Sequence, residues 1–169
     1  VTATRPWADT TGAARGAARS ADADAPTGFI GAYLPYLLAR ASHLVSGEFH
    51  EHLRANGVPV MHWRVMASLW DGPKSVREVA DIILQQQPTV SKLLGRMQRQ
   101  GLVGRATDAA DRRRSVVSLT RLGRARAGPL IDAARAHEAA LLLPFGARHA
   151  ATLVDVLQRL IDQHAHRAR

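Results

Sequence analysis

The sequence predicts a mainly helical fold with one small β-hairpin, and three observations predict it. Apolar residues recur at i, i+3, i+4 and i+7 over most of the chain from Ile30 onward, the period of a helix that buries one face. Between Leu102 and Leu119 that period gives way to two short β-like runs, Leu102-Val103 and Val116-Val117, around the polar stretch Thr107–Arg114. Of the 169 residues, 46% are apolar, enough for one domain to bury a core.

Residues 1–27 are of a different kind, rich in Ala, Thr, Gly and Asp, without Leu, Ile or Met. Such a stretch buries little and reads as a mobile arm outside a domain spanning 28–169. A helix over Ala13–Ala25 would have weak anchors, and Trp7 is expected exposed or loosely docked. The first long helix carries Ile30, Tyr33, Leu34, Leu37, Leu38, Ala41, Leu44 and Val45, with Phe49 and Leu53 extending the stripe. Pro35 either kinks it or marks its start, and Asn56-Gly57 ends it. Val60–Trp70 reads as a short, nearly all-buried second helix, stopped by Asp71-Gly72-Pro73.

Two short helices follow. Ser75-Val76-Arg77-Glu78 has the form of a capping box, in which the hydroxyl and the carboxylate each satisfy a backbone amide of the first turn. Val76, Val79, Ala80 and Ile83 form the apolar face behind it, and Gln85–Gln87 form a tight connection. Pro88 suits the first turn of the next helix and Gly101 suits its end. In that helix Val90, Leu93, Leu94 and Met97 make an inward stripe, so Ser91, Lys92, Gly95, Arg96 and Arg99 face outward. After the hairpin, Thr120 reads as the N-cap of a helix running towards Leu143 with a bend at Gly128-Pro129. Pro144-Phe145-Gly146 breaks it, and a last helix carries Leu153, Val156, Leu157, Leu160 and Ile161.

The chain has no cysteine, which excludes disulfides, thiolate metal sites and a cysteine redox switch. No uninterrupted apolar run approaches membrane-span length, and the N-terminus lacks an apolar signal core, so a cytoplasmic protein without membrane association is expected. The net charge is +9, distributed unevenly: residues 1–84 are neutral, residues 85–128 carry +8 and residues 129–169 carry +1. A field so concentrated suits a polyanion, although charge alone fits a solvated face equally well.

Position separates the two readings. Helix, tight turn, helix and charged hairpin is the order of a winged helix-turn-helix. Thr89 stands at the exposed first turn of the second helix, and Gly95 would permit close approach of its outer face to DNA, or is an ordinary surface glycine. The hairpin tip carries Arg112, Arg113 and Arg114, and a short arginine-bearing loop suits the narrow minor groove.

These segments together resemble the MarR family of transcription regulators. Asp111 to Gly123, D-R-R-R-S-V-V-S-L-T-R-L-G, follows its wing pattern of D-x-R, five residues and L-T-x-x-G. Thr89–Leu94 and Gln100–Arg105 resemble its recognition helix and the junction to the wing, with Gly104 where relatives often carry a polar or charged residue. Trp63-Arg64-Val65-Met66 resembles the opening of its second helix. The resemblance spans about Ile30 to Ile161, and residues 1–27 lie outside it. It implies a DNA-binding lobe over about 60–122, dimerisation helices over about 28–56 and 123–166, and a homodimer on a palindromic operator in double-stranded DNA. It also implies Arg113 at the wing tip, oriented by Asp111.

The DNA-contacting residues expected are therefore Ser75, Gln87, Thr89, Ser91, Lys92, Arg96, Arg99, Asp111, Arg112, Arg113 and Arg114. Relatives often bind small aromatic acids between the dimerisation helices and the DNA-binding lobe. Here His43, His62, Trp63, Met66 and Trp70 are the candidates for an aromatic carboxylate effector, though each also serves as ordinary packing. Glu48 and His52, with His50 nearby, have helical metal-ligand spacing, but no further ligands are in reach and a surface face fits better. No nucleophile–base set, P-loop, G-x-G-x-x-G or H-E-x-x-H is present, so neither an enzyme nor a cofactor is expected. The function expected is a ligand-released repressor, with a nonspecific or architectural nucleic-acid binder as the alternative.

Overall fold

The computed structural model describes residues 28–107 and 115–165. The described residues form two compact units, one within residues 28–133 and the other within residues 134–165.

In the first unit a four-residue helix α1 (Phe29–Ala32) is followed by α2 (Leu34–Ala55). The break falls at Tyr33, whose extended backbone separates the two, and Pro35 lies in the first turn of α2. A prolyl nitrogen has no hydrogen to donate, so the helix starts there rather than kinking through it. Gly57, at φ 65°, turns the chain out of α2 in the left-handed region that favours glycine. Helix α3 (Val60–Ser68) leads through the turn at Asp71–Pro73 into strand β1 (Lys74–Ser75). Helices α4 (Val76–Ile82) and α5 (Gln87–Arg99) come next, then strands β2 (Val103–Thr107) and β3 (Ser115–Leu119).

The capping box at the head of α4 is formed in full. The Glu78 amide donates to Ser75 Oγ at 3.2 Å, and the Ser75 amide donates to Glu78 Oε2 at 2.7 Å. Ser75 also belongs to β1, which pairs antiparallel with β3, Lys74 opposite Val117 and Ser75 opposite Val116. On its other side β3 pairs with β2, from Val103 opposite Leu119 to Thr107 opposite Ser115. The expected hairpin is thus a three-stranded antiparallel sheet of order β1-β3-β2.

The core lies where these elements converge. Leu53, Val65, Leu69, Val79, Val90, Leu94, Met97, Val103 and Val117 are fully buried. All four residues of the inward stripe of α5 are buried, as are Val79, Ala80 and Ile83 of the face behind the capping box. Stripe and sheet therefore fix which side of α5 is left to face outward.

Helix α6 (Arg121–Leu142) begins in this unit. Thr120 holds its first turn: the hydroxyl accepts from the Gly123 amide at 2.9 Å and donates to the Gly101 carbonyl at 2.5 Å. A Cβ at Gly123 would overlap the Leu102 carbonyl, so glycine is required at that crossing. One turn on, Arg124 donates to the Trp70 carbonyl at 3.1 Å and lies 4.8 Å over its indole ring, joining α6 to the end of α3. The helix continues through Gly128-Pro129, as the expected run towards Leu143 requires.

In the second unit α6 ends in a 3₁₀ turn at Leu143–Phe145, and helix α7 follows (Gly146–Ala165). Arg159 pairs with Asp155 at 3.0 Å along one side of α7. Leu153, Val154, Val156 and Ile161 are exposed on α7, as are Leu143 and Phe145 before it. By length and composition residues 121–165 would suffice to cross a membrane, but the 3₁₀ turn interrupts that stretch.

Candidate nucleic-acid interface

The outward face of α5 follows from its buried stripe. Lys92, Arg96 and Arg99 are exposed, Thr89 is exposed at the first turn, and Ser91 is half-buried beside them. Gln87 is the first residue of the helix and is exposed; Pro88 follows it. The residue before the helix, Gln86, makes no side-chain cap. A Cβ at Gly95 would meet nothing closer than the Arg99 guanidinium at 4.0 Å, so nothing within the chain demands glycine there.

The wing root adds residues that the sequence reading did not single out. Arg105 on β2 is exposed, and its guanidinium reaches the Ser91 carbonyl at 3.5 Å, which sets it beside α5. Lys74 and Arg77 flank Ser75 at the head of α4, Arg77 exposed. Pairing of β1 with β3 brings these to the sheet that carries the wing, a long-range event with no local signature. Ser75 Oγ accepts one bond in the capping box, and its hydroxyl proton is left to donate. Asp111, Arg112, Arg113 and Arg114 lie outside the described residues.

The five candidates for an effector site are not brought to one place. A cavity of about 740 Å³ within the first unit is lined by His62 and Met66, together with Val58, Pro59, Gln100, Leu102, Arg126, Pro129 and Leu130. Trp63 instead lines a smaller cavity of about 390 Å³ with Arg64, Ile82, Ile83 and Leu84. Its ring also packs on Phe49, with centroids 5.2 Å apart. Trp70 is occupied by Arg124, and His43 is exposed on α2; neither lines these two cavities. The sequence reading missed Gln100 and Arg126, which come from the end of α5 and from α6 and meet His62 only in the folded chain.

Two histidines are displaced from their ordinary titration. Burial, and then the positive charge of Arg96, hold the His62 imidazole below the usual histidine value. His50 is lowered too, by burial first and then by Arg64 and Arg54. His52 stacks on Phe49 rather than completing a ligand set, and no group of three His, Asp or Glu residues that could hold a metal occurs among the described residues.

Residues 56–114 match the model of the MarR family, a span that runs from the end of α2 to the wing. A MarR family transcriptional regulator from Silicibacter pomeroyi DSS-3, SPO1453, is 39% identical, with 80% of this chain and 98% of that one covered and a TM-score of 0.72. BpsR of Bordetella bronchiseptica, whose DNA binding is regulated by 6-hydroxynicotinic acid, shares the fold at 24% identity, with 81% and 98% covered and a TM-score of 0.67. NadR, solved in complex with 4-hydroxyphenylacetate, does so at 23% identity, with 80% and 96% covered and a TM-score of 0.71. No curated protein matches the chain. The identity to SPO1453 extends over nearly the whole of that regulator, and the helix pair, the Thr120–Gly123 crossing and the three-stranded wing sheet are one arrangement; the chain belongs to the MarR family of transcriptional regulators and has its winged-helix fold.

Proposed function

We propose that the protein is a cytoplasmic, homodimeric repressor that grips a palindromic operator with α5 and the wing and is released by a small aromatic carboxylate. The observation that carries the DNA reading is the placement of charge. Within the +8 segment of residues 85–128, the described Lys92, Arg96 and Arg99 are exposed on the outer side of α5, away from its buried stripe, and Arg105 is exposed on β2 beside that helix. Lys92, Arg96 and Arg99 then lie along the major groove, where Lys and Arg reach guanine edges or phosphates. Gln87, Thr89, Ser91 and Ser75 supply shorter polar contacts. Arg113, steered by Asp111, enters the minor groove, with Arg112 and Arg114 on the flanking phosphates.

Apolar surface supports the dimer. Ile30, Leu34, Leu37 and Leu44 on α1 and α2, Tyr33 between those helices, and Leu153, Val154, Val156 and Ile161 on α7 are all at least 40% exposed. Rows of this kind at helical spacing exceed what a monomer in water leaves uncovered. A two-fold dimer covers them and matches half-sites about one helical turn apart.

The cavity supports the effector. Its apolar residues, Val58, Pro59, Met66, Leu102, Pro129 and Leu130, suit a ring, while Arg126, His62 and Gln100 suit a carboxylate and a ring hydroxyl. The fold is shared with NadR, solved in complex with 4-hydroxyphenylacetate, and with BpsR, whose DNA binding is regulated by 6-hydroxynicotinic acid. A nonspecific nucleic-acid binder has no use for such a cavity.

Footprinting on the DNA adjoining the gene, with and without 4-hydroxyphenylacetate and 6-hydroxynicotinate, tests the reading. The expected result is a two-fold symmetric footprint that an acid erases. Uniform protection without boundaries would favour an architectural binder, and a footprint indifferent to every aromatic acid would remove the effector.

A further inference from the structure

The cavity at His62 has one cation in its wall and a second just outside. Arg126 lines it from α6. Arg96 stands four residues before Gln100, which lines it from the end of α5, so the two side chains share one side of that helix. Arg96 is near enough to His62 for its charge to disfavour the imidazolium. It is also exposed, and among the described residues no carboxylate pairs with it. The same guanidinium belongs to the row Lys92, Arg96 and Arg99 assigned to DNA.

We infer that Arg96 is shared between the two ligands: an anion in the cavity and the DNA backbone compete for its guanidinium, so effector and operator oppose each other through this one side chain. The inference rests on the effector reading above and adds the means by which occupancy is transmitted. Two cations beside an imidazole whose charged form is disfavoured make the cavity mouth positive, and a carboxylate there attracts both. A long exposed arginine can swing to that anion without disturbing the stripe of α5, all of which is buried. DNA that holds Arg96 removes it from the cavity, and by reciprocity the anion weakens DNA to the same degree. No lobe rotation is required for this part of the coupling.

The test is calorimetric titration of the full chain with 4-hydroxyphenylacetate, free and saturated with operator duplex. For the wild type, affinity for the acid should fall about tenfold on DNA, within the usual range for coupled sites. Arg96→Gln should bind the acid more weakly and show a coupling of about twofold or less. Arg99→Gln, which removes an equal charge from α5 outside the cavity, should weaken DNA binding yet keep the wild-type coupling. Wild-type coupling in Arg96→Gln, or its loss in Arg99→Gln to the same extent, would overturn the inference and leave the effector reading standing. A flat wild-type isotherm would fail the effector reading itself, and this inference with it.

Discussion

At the residue scale, the motif L-T-x-x-G has a mechanical meaning. Thr120 ties the turn after α5 to the first turn of α6 with one hydroxyl, and Gly123 lets that turn lie against the Leu102 carbonyl. Gly123→Ala places a methyl group where backbone already is. It should destabilise the fold by about 2 kcal/mol or more, read in denaturant melts, because neither the α6 helix nor the Leu102 carbonyl can give way alone. The capping box at Ser75 was fully legible in sequence because both of its bonds are made within four residues. The cavity was only half legible: His62 and Met66 stand on α3, whereas Gln100 and Arg126 join them through tertiary packing that periodicity cannot report. Trp63 and Trp70 drew notice as large aromatic side chains, yet one packs on Phe49 and the other receives Arg124.

The histidines give a pH dependence at the same scale. Both His50 and His62 are lowered from the ordinary value of 6.5, chiefly by burial, so the folded chain binds fewer protons than the unfolded one. Their contribution is intact above 6.5 and is lost as pH falls through and below it. The thermal midpoint should therefore drop on mild acidification, and His62→Gln should make that drop shallower. A midpoint that rises as pH falls, or a His62→Gln variant with an unchanged slope, would contradict the assignment.

At the element scale, α5 was readable because a 3.6-residue period and a charged outer face coincide in a single helix. Strand β1 was not readable. It is two residues long, too short to show any alternation, and exists only because β3 is there to pair with it. The extent of α6 was readable too: one helix runs from Arg121 to Leu142 with Pro129 inside it, as its apolar spacing led one to expect. The wing tip makes the sharpest prediction about an element. Arg113→Ala should weaken operator binding by about 1–2 kcal/mol with an unchanged melt, most strongly where the flanks are A·T-rich. Asp111→Ala should weaken binding too, although it removes a negative charge near DNA, if the carboxylate orients the arginine as proposed. Anisotropy titrations with an operator duplex decide this: tighter binding by Asp111→Ala with normal binding by Arg113→Ala would reduce the tip to a solvated charge run.

At the scale of the whole molecule, dimer and DNA site are one proposal, because a palindrome is read only by a two-fold pair. Leu153 and Val156 are exposed on α7. Replacing both by Glu should yield a monomer in sedimentation at micromolar concentration and weaken operator binding by tenfold or more, roughly what losing one half-site costs. A double variant that remains dimeric would place the interface elsewhere.

The central claim is that the basic segment over residues 85–128 reads a specific DNA site rather than holding any polyanion. The most direct measurement is the affinity of the dimer for its footprinted operator and for a scrambled duplex of equal length, each across a range of salt. Both should weaken linearly on log–log axes, with a slope of about −0.9 per phosphate neutralised. The operator should remain tighter by about a thousandfold or more throughout. Coincident lines for the two duplexes would show charge without sequence recognition, and a flat line for the operator would show that the segment does not face DNA.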